Sequence, residues 1–134
     1  MSVGGLFVGL ATLDVVQRVD RLPGADEKTV ARDSWLAAGG PAAVAAIAFA
    51  ALGGHARLWT AIGTSPAGRL VAADLASAGV EVVDVAPPRF ELAPSTVLLG
   101  AGSGKRAVVS GSGRPVAFGK IAGRKPHGAL ARGR

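Results

Sequence analysis

The chain has 134 residues, 49% of them hydrophobic and 18% charged, with a formal net charge of +6 and no cysteine. This length accommodates one domain with a real core, and this composition excludes a disordered polymer. The lack of cysteine excludes disulfides and thiolate metal sites and fits a reducing cytoplasm.

The charge is unevenly placed. Residues 1–113 carry nine Lys or Arg and nine Asp or Glu, so the whole excess lies in Arg114, Lys120, Arg124, Lys125, Arg132 and Arg134. Such a basic tail binds phosphates non-specifically, but it lacks the interleaved aromatics of single-strand binders, and no specific nucleic-acid partner is expected. The N-terminus "MSVGGLFVGLATLD" has no positive region ahead of its apolar residues and reads as a first strand, not as a signal peptide.

Residues 6–10 form a uniform apolar run, expected as a strand covered on both faces, with Asp14 just past its end. From residue 15 to 36, β-branched and charged residues are mixed around the turn "LPGAD", which reads as a two-stranded, partly exposed excursion. The stretch "WLAAGGPAAVAAIAFAALGG", residues 35–54, has no charge at all. It is nevertheless no membrane span, because Gly39, Gly40 and Pro41 interrupt it and alanine dominates the rest. Proline favours the first helical turn and glycine the end, which predicts a helix from Pro41 to the pair Gly53 and Gly54. Its expected inward face is Val44, Ile47, Ala48, Ala51 and Leu52. The two preceding glycines bare backbone N–H groups for a hydroxyl or an anion, or simply make a tight strand-to-helix turn.

A second buried strand is expected over residues 58–62. A second helix then runs from the cap Ser65 and Pro66 to Gly79 with the stripe Leu70, Val71, Leu75 and Ala78, and a third strand, "VEVVDV", follows. Strands and helices alternating across short connections imply an α/β fold with a parallel sheet. After the proline-rich turns of "APPRFELAP", the segments "STVLLG", "AGSGK" and "RAVVSG" read as a hairpin. Beyond residue 113 no periodic pattern persists, and residues 114–134 are expected to form a disordered tail.

The segment "GAGSGKR" is not a Walker phosphate loop, since Leu99 and Arg106 stand where glycine and Ser or Thr are needed. His55 and His127 have no partner at metal-ligand spacing. Asp14 has two readings. A carboxylate at the C-terminal end of a first parallel strand lies where open α/β sheets bind ligands and can accept two sugar hydroxyls, and an aspartate there can equally be a plain turn former.

In order along the chain, Asp14, "RLPGADEKTVAR", "AAGGPAAVAAIAFAALGG", "LWTAIGTSPAGRLVAADLASAGV" and "KRAVVSG" resemble the N-terminal part of the PfkB (ribokinase-like) family of carbohydrate kinases. The resemblance covers residues 5 to about 113. It implies a partial ribokinase-like fold: a parallel sheet with flanking helices plus a small β lid of residues 15–36 and 95–110, truncated before the nucleotide-binding half. It further implies ATP-dependent phosphoryl transfer to a sugar hydroxyl, with Asp14, Gly39 and Gly40 holding the sugar and a homodimer through the lid strands. Two residues depart from the family pattern. Val44 replaces the signature's asparagine, and Ser65 replaces an aspartate of the "GDD" segment. Within the family, "EKTVAR" followed by "GGPAA" is most similar to the branch acting on sulfofructose, which makes Lys28 a lid contact and places Ser110 at a sulfonate-binding asparagine position.

The full-length family uses ATP and Mg, with a late Gly-Ala-Gly-Asp segment that supplies the anion hole and the catalytic base. No such segment occurs in these 134 residues. The expectation is a chain cut or frame-shifted near Gly113, binding neither cofactor well and inactive alone, with no catalytic residue assigned. The alternative is a non-catalytic sugar-binding or lid-mediated interaction module.

Overall fold

The computed structural model describes residues 3–112, and the basic tail read as disordered lies outside them. In chain order the described elements are β1 (Gly4–Val8), β2 (Thr12–Val19), β3 (Asp33–Gly39), α1 (Pro41–Ala51), β4 (His55–Thr60), α2 (Pro66–Ser77), β5 (Val80–Asp84), β6 (Pro94–Gly100) and β7 (Arg106–Ser110). They form two sheets. One is parallel, in the order β1-β4-β5, and the other has the order β3-β2-β6-β7. In the second sheet β2 runs antiparallel to β3 and parallel to β6, while β6 and β7 make the expected antiparallel hairpin. Pro94 opens β6 at the first position, where a strand tolerates its missing N–H.

Both helices lie on one face of the parallel sheet. The chain steps from β1 to β4 to β5 in one direction, and right-handed crossovers that step in one direction put their helices on the same side. Ala56 and Leu58 on β4, Val80 on β5, Ala43 and Ala46 on α1, and Val71 and Leu75 on α2 form one buried cluster. Phe7 and Phe49 close it at the β1 side, with their ring centroids 5.5 Å apart.

The expectation that β1 is covered on both faces is corrected. Leu6 and Val8 are 56% and 51% exposed, because no described helix packs on their side of the sheet. On that face Arg57 pairs with Glu81 at 3.0 Å across β4 and β5.

Helix α1 has the expected bounds and a different inward face. Val44 and Leu52 are 55% and 88% exposed, and Ala43 and Ala46 are buried with Ile47 and Ala50 packed beside them. The period is as expected and the phase is off by one residue. An almost uniformly apolar helix offers no contrast to set its phase, and here the alanine side lets the helix approach β4 closely. Helix α2 follows its expected stripe at Val71 and Leu75, whereas Leu70 is half-exposed and faces the second sheet. Ser65 caps α2 by accepting the Gly68 N–H at 3.2 Å. Serine and aspartate are equivalent caps, so the replacement at this position keeps its local structural role.

Among the described residues no helix is long and apolar enough to cross a membrane.

Candidate functional site

The lid sheet presents two faces because successive strand residues alternate. One face carries Thr12, Asp14, Val16 and Arg18 of β2. Register places Gly39, Ala37, Trp35 and Asp33 of β3 opposite them, with Ser95, Val97 and Leu99 of β6 and Ser110, Val108 and Arg106 of β7 continuing the rows. Three contacts confirm the alignment. Arg18 pairs with Asp33 at 3.2 Å and lies over the Trp35 ring, and the Ser95 and Ser110 hydroxyls are 3.1 Å apart.

Asp14, expected just past the end of the first strand and ahead of the excursion, is the third residue of β2. The strand begins earlier than expected because Thr12 and Leu13 already pair with Gly39 and Ala38. The Thr12 hydroxyl donates to Asp14 Oδ1 at 2.8 Å, which orients the carboxylate. The carboxylate lies across Gly39, and a Cβ added at Gly39 would fall 2.1 Å from Asp14 Oδ2. Only glycine fits beneath it.

Gly40 is the N-cap of α1 with φ of 91°, a conformation L side chains rarely adopt, and no side chain caps the helix. A Cβ there would meet the Leu10 carbonyl oxygen at 2.5 Å, so the β1–β2 connection presses against the helix start. Val44 N–H bonds to the Gly40 carbonyl at 3.0 Å, which leaves the N–H groups of Ala42 and Ala43 without intrahelical acceptors. Asp14, Gly39, Gly40 and these donors therefore meet beyond the C-terminal end of β1, where open α/β sheets bind ligands.

The supporting shell uses two further aspartates that the sequence reading did not single out. Asp74 of α2 accepts the Ala38 N–H at 2.6 Å and ties the end of β3 to the core. Asp84, at the end of β5, accepts the N–H groups of Ile62, Gly63 and Ala86 at 3.0, 3.0 and 2.9 Å. Sequence reasoning also missed Thr12 and Ser95. A Thr-x-Asp spacing on one strand face was the available signal for Thr12, but Ser95 is legible only through pairing of distant strands.

The structure brings Asp14, Gly39 and Gly40 together and puts Ser110 on the Asp14 row, two strands away, with the buried Ser95 between them. Lys28 is exposed in the loop that joins β2 to β3 beyond the Arg18–Asp33 pair. In that loop Arg21 pairs with Glu27, which also accepts the Gly24 N–H at 2.9 Å. The guanidinium holds the Glu27 carboxyl below its ordinary range.

Val44, in the first turn of α1, is exposed beside the site and offers no hydrogen bond where the family signature has asparagine. A cleft of about 320 Å³ lined by Leu13, Leu36, Leu70, Ala73, Asp74 and Ser77 lies between α2 and the other face of the lid.

The "AGSGK" segment forms the β6–β7 hairpin turn with Gly104 at φ of 64°, so it does not open a helix as a phosphate loop would. Among the described residues no three His, Cys, Asp or Glu side chains gather at metal-ligand distance. Among the described residues, neither this turn nor a carboxylate cluster offers a place for a nucleotide's phosphates or a metal ion.

A parallel sheet with two helices beside a second, four-stranded sheet that bears a buttressed carboxylate defines a two-sheet α/β protein. The model of the pfkB family carbohydrate kinases matches residues 6–111, and the chain belongs to that family. A protein of Agrobacterium tumefaciens assigned as a ribokinase superposes with a TM-score of 0.76 at 27% identity, covering 91% of this chain and 42% of its own. Ribokinase from Cryptococcus neoformans in complex with ADP gives 0.64 at 25% identity, covering 82% and 33%. Phosphofructokinase-2 from Escherichia coli in complex with fructose-6-phosphate gives 0.72 at 18% identity, covering 90% and 39%, a likeness of fold alone. This chain therefore spans well under half the length of these structural relatives. No curated protein sequence matches it.

Proposed function

We propose that the chain is the sugar-binding part of an ATP-dependent carbohydrate kinase of the PfkB type. The observation that carries this reading is the Asp14 carboxylate, oriented by Thr12 and laid across Gly39 beside the uncapped start of α1. Such a carboxylate accepts hydrogen bonds from two vicinal hydroxyls, and the Gly39–Gly40 backbone lets the sugar approach without a side chain between. When bound, ATP supplies the phosphoryl group. The residues of this chain bind the acceptor and orient its hydroxyls, and no proton-abstracting role falls to any of them.

Titrating the labelled protein with fructose and ribose, followed by amide chemical shifts, tests the reading. Saturable shifts are expected around Thr12, Asp14 and Gly40. Asp14→Ala should weaken binding roughly 10- to 100-fold, the worth of a hydrogen bond to a charged group. Shifts that survive Asp14→Ala unchanged would place the sugar elsewhere.

The remainder of the same lid face supports a second reading, association of two copies through the lid strands. Trp35 and Val108 are exposed there, with Val16, Val97 and Leu99 partly buried beside them. Sedimentation equilibrium is expected to show a dimer that Val108→Glu converts to monomer, since a buried unpaired charge opposes association. A wild-type monomer at high micromolar concentration overturns it.

A further inference from the structure

Resting on the sugar-binding reading, we infer that Asp74 of α2 is a positioning residue for that site, fixing from behind the sheet the strand end on which the Asp14 carboxylate rests. β3 is an end strand of its sheet, so one of its edges has no neighbouring strand in that sheet. On that edge Asp74 Oδ2 accepts the Ala38 N–H at 2.6 Å, a short, charge-assisted bond in a part-buried place. N–H groups alternate along a strand, which turns those of Ala37 and Gly39 the other way, toward β2, where Asp14 and Thr12 are their register partners. The last residues of β3 are thereby gripped from both edges, by β2 on one side and by α2 on the other.

The helix that supplies this bond gains nothing from the aspartate itself. Asp74 stands in the last turn of α2, where the backbone carbonyls concentrate negative charge and a carboxylate opposes them. Aspartate is also among the weaker helix formers. What the carboxylate contributes at this position is its bond to Ala38. Packing does not supply the same restraint. Beside the bond, Leu13 and Leu36 of the second sheet and Leu70 and Ala73 of α2 line a cleft of about 320 Å³, which Asp74 itself helps to line. Apolar groups held apart by a gap lose their mutual attraction and set no fixed distance, whereas a hydrogen bond of this length does.

The effect on the site passes through one residue. Gly39 follows Ala38 in the chain and lies directly beneath the Asp14 carboxylate, which is aligned in turn by the Thr12 hydroxyl. A displacement of the β3 end by about 0.5 Å is enough to take a binding constellation out of its productive geometry. Asp74 therefore acts on the sugar through Gly39 and Asp14, and its loss leaves the carboxylate present but no longer preorganised.

The test is the titration with fructose and ribose on the full chain, followed by amide shifts. Asp74→Ala is expected to weaken sugar binding about 5-fold, the order of one lost hydrogen bond, and Asp74→Asn, whose side-chain oxygen still accepts from Ala38, to restore most of it. In the free protein the Ala38 amide proton should move upfield in Asp74→Ala, with the Thr12, Asp14 and Gly39 resonances shifting alongside it and the far-UV circular dichroism unchanged. Val71→Ala removes a fully buried side chain from the same helix without touching the bond, so it should lower stability and leave sugar affinity within about 2-fold of wild type. Unchanged affinity in Asp74→Ala, a loss in Asp74→Asn as large as in Asp74→Ala, or an equal loss in Val71→Ala overturns this inference and leaves the sugar-binding reading in place. If the wild-type chain binds neither sugar, both fall.

Discussion

Gly39→Ala is expected to cost roughly 1–3 kcal/mol of stability and to abolish the response to sugar, because the added methyl would occupy the place of the Asp14 carboxylate. The two effects have one cause. The Cβ position lies 2.1 Å from Oδ2 and 2.3 Å from the carboxyl carbon, so either the carboxylate swings away from Thr12 or β2 and β3 separate. A double-mutant cycle isolates that cause. Asp14→Ala removes the colliding group, so the Gly39→Ala/Asp14→Ala protein should be more stable than Gly39→Ala alone, with an interaction of about 0.5–3 kcal/mol. Strictly additive changes in urea midpoint would mean that Gly39 is required for some other reason, and the close approach would then have no functional meaning.

The second large effect concerns the parallel sheet. Leu58 is fully buried at the centre of its middle strand, between the cluster residues of α1 and α2, so Leu58→Ala should destabilise by about 2–5 kcal/mol. Domains of this size have total stabilities of about 5–15 kcal/mol, and this sheet is covered by described helices on one face only. The variant is therefore expected to be substantially unfolded at 37 °C. Leu6→Ala, on the other face of the same sheet, should change stability by less than about 0.5 kcal/mol, because its side chain is already 56% exposed. Urea denaturation followed by far-UV circular dichroism measures both. Equal losses would show that the Leu6 face is covered in solution.

Some of this architecture is local, and the sequence carries it. Pro41 and Gly53 bound α1 and Ser65 and Gly79 bound α2, since caps and breakers act over one turn of chain. The alternation of strands and helices implied the parallel sheet, and the resemblance to PfkB kinases led to Asp14, Gly39 and Gly40. What lay beyond reach was whatever depends on pairing between distant segments. The inward face of α1 was misplaced by one residue because alanines and valines are nearly equivalent to a pattern and quite different against a sheet. Leu6 and Val8 looked doubly buried, since an apolar run records what a strand tolerates and not whether both faces are covered.

At the site the same division holds. The sequence by itself determined that a carboxylate and a glycine pair stand at the two ends of a lid excursion. Only the tertiary structure decided that Thr12 orients that carboxylate, that Gly39 must be bare to receive it, and that Ser95 and Ser110, about eighty and ninety-five residues later, extend its row. A β sheet joins residues by register across strands, and register is a long-range property that no local pattern encodes.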